Sequence, residues 1–481
     1  MVAAANKEKD EKRMFVGMAW NCAAELKLFL TALLFLCTLA TVLQFLPSRF
    51  LLSPSDLRRC LSTPTDLSNS SSAPAALQDI NRDNISSDGV VRRAFNPYGS
   101  AAYNFILMSA YRGGPHSFAV VGLSSKPLHV YGKPSYECEW VSGNTSISTA
   151  GYKILPDWGY GRVYTVVVVN CTFPRPAVAG GQLLVHAATN GGGGINSSDT
   201  IVVLEERPED YKAEWESAPA YEYLYCGSPL YGNLSPQRVR EWMAYHVRLL
   251  GAKSHFVIHD AGGVHDGLRA VLSPWMEKGF VTLQDVRDQE KLDGYYHNQF
   301  LVLNDCLHRY RFSAKWIFFF DVDEFVFVPK GTINAVMDSL SKYTQLTMVQ
   351  MPMSSTLCLS EDAPQRSRKW GFEKLVYKDV KRGRRDRKYA VQPRNVFATG
   401  VHMSQSLVGK TTHDTYGRIS YFHYHGTIAQ RREPCKQFLN DSQITLDGVP
   451  YVMDTTMRQV AGAVKRFELK TIGPVLQTTT Q

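Results

Sequence analysis

The residues with the clearest chemical use lie in one short stretch, Lys315 to Phe327, which reads KWIFFFDVDEFVF. Ile317, Phe318, Phe319 and Phe320 form an apolar run of β-formers, the pattern of a strand buried on both faces. The run breaks off at Asp321-Val322-Asp323-Glu324. In an extended chain residues i and i+2 point the same way, so Asp321 and Asp323 could hold a cation between them at the strand's end. Carboxylate oxygens suit a hard divalent ion such as magnesium or manganese. Ligands of open α/β sheets bind in the crevice beyond the carboxyl ends of the strands, and a metal held there could neutralise a departing diphosphate. A lone D-x-D is also an ordinary acidic turn. Here the buried-type strand leading into it favours chemistry.

Other candidates lie elsewhere in the chain. Ile419–Gly426 (ISYFHYHG) reads as a strand, and period two places His423 and His425 on one face. Cys226-Gly227-Ser228 and Asp260 each follow a strand-like run, although both are also ordinary turn residues. The elements that must position them alternate. Glu222–Cys226 is a strand, and Ser235 caps a helix with Pro236 in its first turn, running to about Leu250. Ser254–His259 is a strand, Leu268–Lys278 a helix and Phe280–Leu283 a strand. Gln299 to about Tyr310 is the helix that delivers the chain to the D-x-D strand. This β-α-β-α-β order marks an α/β domain, which we place at 221–481. Thr347–Pro352 is a further strand, leading to a loop that carries Glu361 and Asp362.

Upstream the pattern differs. From 91 to 204 short β-type runs alternate with Gly, Pro and Asn clusters, which predicts an all-β sandwich module. Cys138 and Cys171 each sit beside such a run, and a disulfide between them would staple it. Tyr136, Trp140, Tyr152, Trp158 and Tyr160 are candidates for stacking on sugars, or equally for core filling. Residues 205–220 read as a polar linker and 47–90, rich in Ser, Pro, Asn and Thr, as a flexible stem. The uncharged apolar stretch 28–46 predicts a transmembrane helix, about 28 Å long. Lys7, Lys9, Lys12, Arg13 and Lys27 precede it, so the tail 1–27 should be cytosolic and the rest luminal. Seven N-x-S/T sequons, at Asn69, Asn84, Asn144, Asn170, Asn196, Asn233 and Asn440, agree with a lumen. So do seven cysteines beyond the anchor, of which Cys60 is the expected odd one. A net charge of +9 is modest for 481 residues, and no nucleic-acid signature is present.

The stretch Tyr296–Phe325, with KYAVQPRNV and YFHYHGTI further on, resembles the nucleotide-sugar glycosyltransferases of family 92. Within it, the resemblance is to the plant transferases that build β-1,4-galactan. It implies a GT-A type fold, a UDP-sugar donor (UDP-galactose), manganese and inversion at the transferred carbon. It further implies a galactan acceptor on pectin, rhamnogalacturonan I, and a Golgi membrane location. By the same resemblance Cys226, Gly227, Ser228 and Asp260 would contact the uridine, and a histidine would join Asp321 and Asp323 on the metal. His423 is the first choice; His425 would lie on the diphosphate or replace it, and His402 is the third option. The base that takes the acceptor proton would be Glu361 or Asp362, with Glu373 as fallback. The basic run Lys378–Lys388 is a solvated hairpin tip or a surface that steers acidic pectin. Two rival readings stay open, a carbohydrate-binding protein with a degenerate transferase half and a metal-dependent phosphoesterase. A homodimer is also left open.

Overall fold

In the computed structural model the described residues are 84–92, 96–98, 105–125, 134–155, 164–190, 196–290, 296–363, 369–380, 387–429 and 435–477. The expected tail, the anchor, nearly all of the stem and Cys60 lie outside them, as do Trp158 and Tyr160. No helix among the described residues is long and apolar enough to cross a membrane. All of these residues fall in one compact unit, Leu77–Gln481.

A mixed sheet organises the C-terminal half. Its parallel part runs in the order Val281–Asp285, Ser254–Asp260, Tyr221–Cys226, Ala314–Phe319. Every residue of Ser254–Asp260 is buried, as are the last four of Tyr221–Cys226 and of Ala314–Phe319. Helices cover both faces, so near-continuous apolar runs are what these strands require. Pro236–Leu250 begins where expected, the Ser235 hydroxyl accepting from the Arg238 N–H at 3.4 Å. Beyond Ala314–Phe319 the sheet turns antiparallel through Lys388–Val391 and Gln345–Pro352, then continues through Ser420–His423 to Glu324–Phe327.

That last pairing changes the geometry expected for D-x-D. The chain leaves the sheet after Phe319, turns through Asp321-Val322-Asp323, and re-enters as a second strand at the far edge. The Glu324 N–H closes the turn on the Asp321 carbonyl at 3.1 Å. The two aspartates therefore do not flank one extended residue, and their carboxylates take different partners.

The N-terminal strands form one continuous antiparallel sheet of eight strands, not the two facing sheets of a sandwich. From Phe105–Arg112 to Asn196–Glu206 it rolls around its own core, which includes Phe118, Trp140, Val167, Leu183 and Ile201. Arg112 and Glu206, from the two ends of the roll, pair at 2.7 Å. Cys138 is bonded to Cys171 as expected, and Cys226–Cys306 and Cys358–Cys435 are further disulfides. Trp140 stacks on Phe118 inside the roll and Tyr136 is buried there too, so neither is a sugar platform; Tyr152 is exposed. The outer face of the roll is also apolar. Ile106, Met108, Val121 and Val168 pack on Phe300, Leu301 and Val302 of the helix Gln299–Arg309. The segment 205–220 is tied down as well, because Arg394 donates to the carbonyls of Trp215 and Ser217.

Candidate active site

At the carboxyl ends of the parallel strands lies a crevice of about 280 Å³, lined among others by Ser228, Tyr231, Asp321, Asp323, Lys388 and His425. Asp321 and Asp323 serve two different clusters within it. Asp321 accepts from the Lys388 ammonium at 2.7 Å and from the Ser228 hydroxyl, which in turn accepts from the Gln299 amide at 2.5 Å. Asp323 accepts from the Gly426 N–H at 3.0 Å and stands 3.6 Å from His423 Nε2. His425 completes this second group, since one ligand atom each of Asp323, His423 and His425 lies within 4.8 Å of the others. One carboxylate and two imidazoles are a donor set suited to manganese, zinc or iron, and only modest closure is needed to bring them onto one ion.

The helix Pro236–Leu250 fixes the backbone that carries these groups. Trp242 Nε1 donates to the Glu324 carbonyl at 2.9 Å, and the Tyr245 hydroxyl donates to the Val326 carbonyl at 2.7 Å. His246 Nε2 accepts from the Val326 N–H at 3.2 Å while its Nδ1 faces the Trp242 carbonyl at 2.9 Å. Accepting on one nitrogen and donating on the other requires a neutral ring, and burial pushes this histidine down to about 3. Glu324 ↔ His423 is itself a register pair, so strand pairing brings the second histidine cluster to the D-x-D turn.

Charge is concentrated and compensated behind the crevice. Lys388 is buried, and desolvation would lower its pKa, but Asp321 and Glu324 outweigh that and raise it. For Asp321 burial acts upward and Lys388 prevails, holding the carboxyl below its usual range. Glu324 is pushed up to about 8 by burial, with Lys388 offsetting only part of that. Burial would also lower His423, yet Asp323 and Glu324 beside it raise it.

The opposite wall is made by the segment Tyr296-His297-Asn298, whose φ angles are +49°, +58° and +57°. Three consecutive non-glycine residues in the left-handed region are costly, about 1–2 kcal/mol each. Asn298 is buried, and its side chain donates to the Gln289 carbonyl, while Tyr231 stacks on His297 with centroids 3.7 Å apart. Tyr296 and Tyr231 both line the crevice.

Of the residues singled out from sequence, Asp321, Asp323, His423, His425, Ser228 and His402 line this crevice. Cys226 does not, being buried and bonded to Cys306. Gly227 serves the turn: a Cβ there would collide with the Tyr225 ring, and its carbonyl faces His259 Nδ1 at 2.8 Å. Asp260 folds back onto its own loop, accepting from the N–H groups of Gly262 and Val264 at 2.8 and 3.1 Å. Glu361 and Asp362 are held by Arg458 and Lys369, and Asp362 is buried among them. Glu373 accepts from the Trp370 N–H at 2.6 Å and pairs with Lys465. None of these three carboxylates lines the crevice. Lys388, Glu324 and Gln299 were not singled out. The signal for Lys388 was its place at the head of the strand Lys388–Val391, which turns it inward from the basic run.

Residues 221–460 match the profile of Glycosyltransferase family 92. The chain is 58% identical over 505 aligned positions to galactan beta-1,4-galactosyltransferase GALS3 of Arabidopsis thaliana, covering 100% of both chains. Its identity to galactan beta-1,4-galactosyltransferase GALS2 of the same plant is 55%, over 99% of this chain and 100% of that one. A more distant similarity, 20% identity over 61% of this chain and 66% of the other, is to beta-1,4-galactosyltransferase galt-1 of Caenorhabditis elegans.

Proposed function

This chain belongs to glycosyltransferase family 92, and from that premise we propose that it lengthens β-1,4-galactan by transfer of galactose from UDP-galactose. It is a hexosyltransferase of the galactan-building kind. The single observation that carries the site assignment is the grouping of Asp323, His423 and His425 next to Asp321 in one crevice at the carboxyl ends of parallel strands. Its GT-A type architecture, a Golgi membrane location through 28–46 and a pectic acceptor, rhamnogalacturonan I, are part of the same reading.

Asp323, His423 and His425 would hold a divalent cation, manganese in this reading, which supplies charge neutralisation for the departing diphosphate. Ser228, Gln299 and Asp321 form a connected set that presents an acceptor carboxylate and a hydroxyl to the donor. Lys388 keeps Asp321 ionised, so that face of the crevice stays fixed while charge develops on the leaving group. Tyr231 and Tyr296 line the wall of the crevice.

The test is to incubate the chain from residue 47 onward with a panel of UDP-sugars, manganese and a defined galacto-oligosaccharide. UDP-galactose alone should give products one galactose longer, cleavable by an endo-β-1,4-galactanase. Release of galactose with no longer product would favour a hydrolase, and binding of galactan with no turnover would favour a degenerate transferase.

A further inference from the structure

Displacement with inversion brings the acceptor hydroxyl to the anomeric carbon from the side away from UDP, and it needs a base there. The three carboxylates named from sequence for this role pair with Arg458, Lys369 and Lys465 and line neither the crevice nor the cavity beside it. A second cavity, of about 170 Å³, adjoins the first and shares Gln350, His423 and His425 as its wall. Ser354, Ser355 and Thr356 contribute to its lining, with the ring of Tyr451 and one carboxylate, Asp379. Hydroxyls beside an aromatic ring are what a sugar needs in order to dock. We infer that this second cavity receives the acceptor end of the glycan and that Asp379 is the catalytic base. The inference rests on the transfer reading given above.

The fold holds Asp379 firmly. It lies on the short strand Tyr377–Asp379, in register with Tyr451 of Val449–Met453. The Val380 N–H donates to the Pro450 carbonyl at 3.1 Å, and the Ser354 N–H to the Tyr377 carbonyl at 2.7 Å. Those bonds tie the strand to both walls of the second cavity, and the side chain is buried against it. The step balances simply. Asp379 takes the proton of the acceptor hydroxyl as its oxygen bonds to the anomeric carbon. The bond from that carbon to the β-phosphate oxygen breaks, and its electron pair leaves with UDP.

Asp379→Asn, nearly the same shape, should lower kcat for transfer by about 10²–10⁴-fold, the usual worth of a positioned base. UDP binding and the slow hydrolysis of UDP-galactose without acceptor should persist. Asp379→Ala should be partly rescued by added formate, which no purely structural role would allow. Tyr451→Ala should raise the acceptor KM several-fold and leave the donor KM unchanged. Transfer by the unmutated protein is measured first: its absence defeats the functional reading itself. If that transfer is present, an Asp379→Asn protein that melts normally and keeps more than about a third of wild-type kcat overturns the assignment. So does a loss of UDP binding equal to the loss of turnover. Should Asp379→Ala not fold, the Asn variant alone decides.

Discussion

Lys388 closes a basic run that reads, from the sequence, as a solvated tip, yet it is buried between Asp321 and Glu324 at 2.7 and 3.7 Å. Lys388→Met would leave the half-buried Asp321 carboxylate without its counter-charge. Breaking a fully buried pair costs about 3–5 kcal/mol; with Asp321 a third exposed the cost should be smaller, seen as a lower melting temperature together with lost turnover. Glu324, pushed up to about 8, is already largely protonated at neutral pH, so adding Glu324→Gln should restore little stability and no activity; urea melts of both variants check this. At this scale the sequence disclosed the residues whose type is unusual for their place. Asp321, Asp323, His423 and His425 follow apolar runs and stand out, and all reach the crevice. Glu361, Asp362, Glu373 and Asp260 are acids of the same type, and only the fold shows that they do not line the crevice and take partners such as Arg458, Lys465 and the Gly262 N–H.

Among elements, the helix Pro236–Leu250 was legible from its Ser-Pro start, because capping is a local interaction. The parallel strands were legible because burial on both faces leaves continuous apolar runs. What local pattern could not show is the break in the D-x-D strand. It depends on pairing between Glu324–Phe327 and Ser420–His423, nearly a hundred residues apart. That second strand is held from behind by Trp242, Tyr245 and His246. Trp242→Phe should keep most of the packing and lose the hydrogen bond to the Glu324 carbonyl, for about 0.5–1.5 kcal/mol. Since that carbonyl follows Asp323 directly, turnover should fall several-fold more than this stability loss alone would cause. Chemical denaturation beside steady-state kinetics makes the comparison.

Over the whole molecule, the rolled N-terminal sheet and the transferase half share a core, with the helix Gln299–Arg309 between them. The sequence pattern of short strands and turns showed that the sheet exists. Its outward-facing apolar residues (Ile106, Met108, Val121) gave no sign of what covers them, because their partners arrive some 180 residues later. Four histidines are buried among the described residues; burial pushes His246 and His308 down to about 3 and His259 to about 4, and lowers His255 as well. Unfolded, each returns to about 6.5. Their folded-state pKa values are depressed, so the stability they permit is complete above pH 6.5 and shrinks as pH falls towards 4. The slope is about 1.4 kcal/mol per pH unit for each histidine. Urea unfolding from pH 7.5 to 4.5 should show this fall, and His308→Gln should flatten it by about one proton.

Asp323 joins the strand break, the histidine cluster and the crevice, so its removal interrogates the account most directly. The measurement is the rate at which Asp323→Ala extends a galacto-oligosaccharide from UDP-galactose in manganese, beside its melting temperature. Asp323 sits at a turn with its side chain 12% exposed and accepts from the Gly426 N–H, so the fold should survive its loss at a modest cost in stability. The predicted result is a loss of about 10²-fold or more in turnover, the scale seen when a group that stabilises developing charge is removed, with melting only modestly lowered. Near-wild-type extension by a normally folded Asp323→Ala protein would contradict it.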